Sequence, residues 1–343
     1  MLLIIAHHFV VNSGVKDLYD HTNPTVSQYF LQVWGMWGKT GINCFILISG
    51  YFLCKGRLTW QRYVKLLAEI YFYSLAITAI FVITGYETLT PVTAIKHMLW
   101  PLADVGRNFV SSFLCFYAFV PIYNKLIAAM PEKTNRIFVL GLLFYATICG
   151  TFLDARTFFE PLWYVILYFV AAYIRLYPNK YTESLKVSSV LLASTIILAI
   201  ASVVSLIWVK AHLFPQLPTM TYYFVSNSHK ILAFAVGLSA FLFAKNCPRF
   251  QSPVINWISA GTFAVLLIHA ASDTMRHWLW QDIVQVPRLY IESFSGSIAS
   301  LVMISIITPL IIFAICTTID SFRRRYIEKP FMGWLLSRWP ELK

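Results

Sequence analysis

The chain has 343 residues, of which 58% are hydrophobic and only 12% charged, with a mean hydropathy of +0.66. A soluble domain averages about 25% charged residues, so the composition excludes a soluble globular enzyme and describes an all-α polytopic membrane protein. The net charge of +12 does not call for nucleic acid, because cytoplasmic loops of membrane proteins collect Lys and Arg.

The opening run, Met1-Leu-Leu-Ile-Ile-Ala-His-His-Phe-Val-Val11, carries the adjacent residues His7 and His8. A titratable pair at bilayer depth is costly, which makes both histidines functional-site candidates. Anchoring at the headgroups is the alternative. A spanning helix needs roughly 20 apolar residues, so this run reads as a first span that is incomplete at its N-terminus. It has no basic n-region and the chain continues into further spans, so it is not read as a cleavable signal peptide.

Hydropathy places the other spans at 29–53, 63–84, 109–128, 137–153, 161–177, 187–208, 230–245, 258–276 and 297–319, which makes ten. In the second, Lys39 and Asn43 are four apart and share a helix face. An isolated Lys39 could instead snorkel to the surface. Gly38, Gly41 and Gly50 would let another helix come close, and Ser49 precedes the last of them. The third span has Glu69 one turn after Lys65, which reads as a local ion pair. The segment 91–102, with Lys96, His97 and Trp100, is too short to span and reads as an interfacial or re-entrant helix. Pro121 and Pro309 should kink or break the fourth and tenth spans.

The ninth span carries His269, Asp273 and His277 at steps of four, so Asp273 could orient either imidazole. A merely polar helix end is the alternative. After the last span comes Asp320-Ser-Phe-Arg-Arg-Arg-Tyr-Ile-Glu-Lys-Pro330. Its Arg323, Arg324 and Arg325 could stop transfer, bind anionic lipid or meet a phosphate-bearing donor.

One set of alternating loops, with the C-terminal tail, holds eighteen Lys and Arg residues, Arg249 and Lys343 among them; the other set, which includes Arg156, holds eight. The first set is therefore read as cytoplasmic, with both chain ends inside. The long segments 85–108, 209–229 and 277–296 on the other side are rich in Trp, Tyr and Pro. They suit an aromatic vestibule for sugar rings, or equally an interfacial aromatic belt. No polar stretch is long enough for a soluble domain, so residues 1–343 are taken as one transmembrane domain. Six cysteines without a CxxC suggest neither a zinc site nor a redox pair, and no metal is expected.

These residues carry a resemblance. Ile4-Ile-Ala-His-His8, the set Gly41, Phe45, Ser49 and Gly50, the stretch Thr262-Phe-Ala-Val-Leu-Leu-Ile-His269 and the closing Glu328-Lys329-Pro330 follow the order and spacing of motifs in one family. The chain resembles the acyltransferase-3 family of integral membrane O-acyltransferases, and is most similar to the Gram-positive branch that modifies surface polysaccharides. Pro161-Leu-Trp-Tyr-Val-Ile-Leu-Tyr168 and Phe116-Tyr117 before Pro121 are weaker matches.

The resemblance implies transfer of an acyl group, usually acetyl, from cytoplasmic acyl-CoA to a glycan hydroxyl at the bacterial plasma membrane. A hydroxyl is a poor nucleophile unless a base removes its proton as it attacks, and a neutral imidazole suits that task. His8 is the expected base, with His7 and His269 in its site. Lys39, Asn43 and Ser49 are the donors available to a tetrahedral oxyanion. The family's cation, eleven positions before the catalytic histidine, would fall upstream of Met1, so its role is expected there or at Lys39. A glutamate common in the family's fourth span is missing from Asn108–Tyr117, and Glu160 or Asp104 is taken as its substitute. Arg57 and Arg62, with Arg323, Arg324 and Arg325, are expected to meet the phosphates of acetyl-CoA, since no P-loop or Rossmann glycine pattern is present. The expected partners are acyl-CoA, a glycan or lipid-linked glycan acceptor and membrane lipid. A transporter of glycan or lipid-linked intermediates is the competing reading.

Overall fold

The computed structural model describes residues 1–153, 159–248 and 250–340, with the backbone alone of Ser295. Arg156, Arg249 and Lys343, counted above among the loop charges, lie outside the described residues.

Among the described residues all regular structure is helical. Helix α1 is Leu2–Val11, and a single 3₁₀ turn at Val15–Leu18 leads to α2, Val26–Gly35, and α3, Gly38–Leu53. Then come α4 Trp60–Ile83, α5 Pro91–Ala103, α6 Phe109–Ala118, α7 Val120–Ala129, α8 Glu132–Leu143, α9 Gly150–Phe152, α10 Glu160–Leu176, α11 Leu185–His212 and α12 Ile231–Asn246. The C-terminal part is α13 Pro253–Ala260, α14 Thr262–His269, α15 Asp273–His277, α16 Val286–Ser295, α17 Ile298–Arg323 and α18 Lys329–Arg338. Side-chain caps fix many of the starts: Thr25, Thr59, Asn108, Ser184, Ser252 and Ser297 each accept a backbone N–H from the first turn of the helix they precede.

Among the described residues four helical stretches are long and apolar enough to cross a membrane: Trp60–Ile83, Glu132–Phe152, Leu185–His212 and Ile298–Arg338. The pair α6 and α7, bent by 53°, makes a fifth. The bend falls at Phe119, just ahead of Pro121, whose missing N–H suits the start of α7 better than the middle of a continuous helix. The long helices turn apolar side chains outward, such as Ile197 and Leu198 on α11 and Leu310, Ile311 and Ile315 on α17. A helix, with its backbone bonds closed internally, can present such a surface to hydrocarbon.

Three expectations are corrected. Pro309 does not break the last span, because α17 runs through it from Ile298 to Arg323. The span expected at 258–276 is three pieces, broken at Gly261 and again at Ala270–Ser272. The second span is split at Met36–Trp37.

The interior is organised around α10 and α1. Trp163, Tyr164, Leu167 and Tyr168 of α10 are fully enclosed, and α3 packs between α10 and α12. Helix α1 lies against α2, α3 and α17, with Ile5, Phe9 and Val10 enclosed. The two histidines are thus carried on one of the most buried helices of the bundle.

Candidate active site

A stripe of glycines sets how close α1 comes to α2 and α3. A Cβ on Gly35 would meet Val10 at 2.7 Å, one on Gly38 would meet the His7 ring at 2.3 Å, and one on Gly41 would meet Ile4 at 2.9 Å. Each glycine receives the next residue along one face of α1. Gly50, further along, serves α10 instead, facing Ala171 and Tyr168. We expect Gly38→Ala to force α1 outward, at about 1–3 kcal/mol of overpacking. A shift of about 1 Å at the histidines should cost roughly 100-fold in turnover. A thermal melt and a transfer assay on membranes that contain the inserted variant would measure the two effects.

His7 Nδ1 bonds the Gly35 carbonyl at 2.5 Å, and His8 Nδ1 lies 3.0 Å from His269 Nε2. His269 Nδ1 in turn bonds the Val265 carbonyl, one turn back on α14. A carbonyl only accepts, so in neutral His269 the proton sits on Nδ1 and Nε2 is bare. His8 must then donate from its own Nδ1, which leaves the lone pair on His8 Nε2. The chain of bonds therefore fixes the tautomer of the outermost imidazole, the task a carboxylate performs beside many catalytic histidines.

His7 and His8 line a cavity of about 220 Å³ with Lys39, Ser74, Trp100, Arg107, Glu160 and Arg276. Lys39 Nζ stands 3.7 Å from Glu160 Oε1. Trp100 closes one wall, with its indole N–H donating to Ser74 and its carbonyl accepting from Ser111. Gly106, at φ +85°, makes the turn that brings Arg107 and Asn108 to the rim, and its N–H donates to Ser112. The cavity thus offers an imidazole lone pair, the Lys39 ammonium and the Arg107 guanidinium beside one carboxylate, with Arg276 paired to Asp273, an arrangement that suits developing negative charge.

The other expected residues lie elsewhere. Asn43 is fully enclosed, donating to the Ser228 and Ala233 carbonyls and accepting from the Trp163 indole N–H. Its amide hydrogens are spent on α12 and the loop before it, and its carbonyl oxygen on α10, so it is not open to an oxyanion. Ser49 donates to the Phe45 carbonyl in its own helix. Asp104 ends α5 and is not part of the cavity lining. Asp273 is exposed and pairs with Arg276 at 2.6 Å, because the chain breaks between His269 and α15; it does not orient His269. His277 is 3.6 Å from Asp282.

Of the five arginines expected to meet phosphate, Arg323 is enclosed and fully engaged. It contacts Glu69 at 3.2 Å and Asp320 and Glu328 at 2.8 Å each. Arg324 lies 2.9 Å from Asp320 and donates to the Trp257 carbonyl. Lys65 pairs with Glu328 at 2.7 Å rather than with Glu69. Arg57, Arg62 and Arg325 are exposed; Arg62 donates to the Arg57 carbonyl, and Arg325 stacks over the Tyr326 ring.

Arg107 and Arg276 were missed as site residues. Their signal was available, since both are cations on the side of the chain where cations are scarce.

Residues 1–319 match a family model described as an acyltransferase domain. No curated protein and no solved structure matches the chain.

Proposed function

Because the chain belongs to the acyltransferase-3 family, and so is a membrane acyltransferase, we propose that it moves an acetyl group from cytoplasmic acetyl-CoA to a hydroxyl of a cell-surface polysaccharide or its lipid-linked precursor. The observation that carries this reading is the hydrogen-bonded series Val265, His269 and His8, which leaves a lone pair on a histidine lining a cavity that also holds Lys39.

In this reading His8 Nε2 takes the proton from the acceptor hydroxyl as its oxygen attacks the thioester carbonyl. His269 holds the His8 Nδ1–H while the imidazolium charge is present. The ammonium of Lys39, kept in place by Glu160, faces the oxygen that gains negative charge. The carbon–sulfur bond then breaks, the ester remains on the glycan, and His8 returns its proton to the departing thiolate of coenzyme A.

The topology we propose has ten crossings with both ends in the cytoplasm, as the loop charges favour. The shorter helices and the bent or broken ones, α1, α2 with α3, α10, α12 and α13 with α14, supply the crossings beyond the long apolar ones. The His8 cavity then opens toward the outer face, where the α5–α6 turn and the start of α10 lie. The test is mass analysis of surface glycan from cells with and without the gene. Acetyl esters are expected only where the gene is present, and an unchanged glycan would reject the acceptor assignment.

A further inference from the structure

A second cavity, of about 300 Å³, lies on the other side of the same helices, with exposed Arg62 and Lys65 at its mouth, where Lys65 also pairs with Glu328, and with Glu69, paired with Arg323, in its wall. The two cavities share their walls in register. Helix α3 gives Ile42 to the His8 cavity and Phe45 to the second, α6 gives Phe109 and then Phe113, and α14 gives Leu266 and then Phe263. A step of three or four residues is about one helical turn, or roughly 5.4 Å. One layer of side chains therefore separates the two spaces.

That layer is aromatic. Phe45 lies with its ring centroid 5.7 Å from Phe109, 5.3 Å from Phe113 and 6.1 Å from Phe263. Phe113 is 6.0 Å from Phe109 and 5.8 Å from Phe263. Offset-stacked and edge-to-face rings at these separations attract one another, and a closed apolar layer keeps water and ions from passing. Tyr117, at the rim of the second cavity, stacks on Phe113 at 5.6 Å and continues the aromatic path outward.

We propose that Phe45, Phe109, Phe113 and Phe263 form a gate, which opens by turning aside its rings to admit the acyl-bearing arm of acyl-CoA from the Arg62 and Lys65 side to His8. This rests on the acyl-CoA reading above. The cysteamine and β-alanine end of that arm is narrow and unbranched and fits where the nucleotide end does not, so the phosphates stay at the mouth beside Arg62 while the thioester reaches the imidazole. Closed between turnovers, the layer keeps the two sides of the bundle apart.

The test uses a cysteine that reports on the His8 cavity, Ala271→Cys, in the full chain with its six native cysteines replaced, in sealed vesicles of both orientations. A membrane-impermeant maleimide is added to the face that bears Arg62 and Lys65. With the native rings, labelling from that face is expected to be negligible, and acetyl-CoA supplied there should slow labelling from the opposite face. Phe113→Ala with Phe263→Ala should raise labelling from the Arg62 face by about tenfold or more, a shift of about 1.4 kcal/mol in opening. If that pair fails to insert, Phe113→Leu alone should give an intermediate increase. Labelling from the Arg62 face with all rings present, no increase after trimming, or no protection by acetyl-CoA would each overturn the gate. The labelling is read without acyl transfer, so measuring transfer separately in the same vesicles distinguishes failure of the gate from failure of the catalytic reading.

Discussion

Replacing His8 by alanine is expected to lower acetyl transfer by about 10²–10⁴-fold, the range a positioned acid–base group supplies, in a protein that still inserts. The loss should fall on kcat. The basic mouth with Arg62 and Lys65 belongs to the other cavity, so the KM for acetyl-CoA should change little. His8 is replaceable without collapse of α1, because the helix is held through Ile5, Phe9 and Val10 in the apolar core. The hydrogen bond to His269 is the main contact removed, and it leaves the enclosed His269 Nε2 without its partner, at a cost of about 1–3 kcal/mol in stability. Transfer rates at several acetyl-CoA concentrations, normalised to inserted protein, measure the effect.

Arg323→Ala is expected to destabilise the protein by about 3–5 kcal/mol, the cost of removing one partner from a buried charge cluster. Arg323 is 5% exposed and Asp320 is fully enclosed. Without the guanidinium, Glu69 loses its ion-pair partner, and Asp320 keeps only Arg324 and the Tyr73 hydroxyl. Glu328 keeps Lys65. The cluster joins α4, the end of α17 and the chain before α18, so its failure should loosen all three together. Thermal unfolding in detergent compares the variant with Arg325→Ala, which should unfold like the native chain because Arg325 is exposed and stacks only on Tyr326. Equal melting of the two variants would show that the cluster does not hold these helices.

The fold class was legible because composition alone separates a membrane bundle from a soluble domain. His7, His8 and Lys39 were legible as candidates for a similar reason: a titratable group in an apolar run carries a cost that has to be met by a partner. What the sequence could not show was which partner meets it. Lys39 and Glu160 lie far apart in the chain and meet only because α3 packs on α10. Asn43 looked like a free donor until its three bonds across α10 and α12 were seen. Arg323 looked like one of three surface arginines, yet the helix turns it furthest inward, among three carboxylates.

The spacing of His269, Asp273 and His277 suggested one face of one helix. The chain instead unwinds after His269, and Asp273 turns to Arg276. Periodicity predicts a shared face only while the helix continues. Pro309 errs in the opposite direction: a single lost N–H does not interrupt a long apolar helix that has neighbours along its length. The glycine at the break admits the Asp320 carboxylate, which a Cβ there would meet at 3.0 Å.

The most direct test of His8 as the base of an acyl transfer uses purified protein in lipid nanodiscs, acetyl-CoA labelled in its acetyl group, and a hydroxyl-bearing glycan acceptor. The native chain is expected to form a labelled ester on the glycan, and His8→Ala is expected to form almost none. Ester formation at equal rates by both proteins, or movement of unmodified glycan across a sealed bilayer with no ester formed by either, would contradict it.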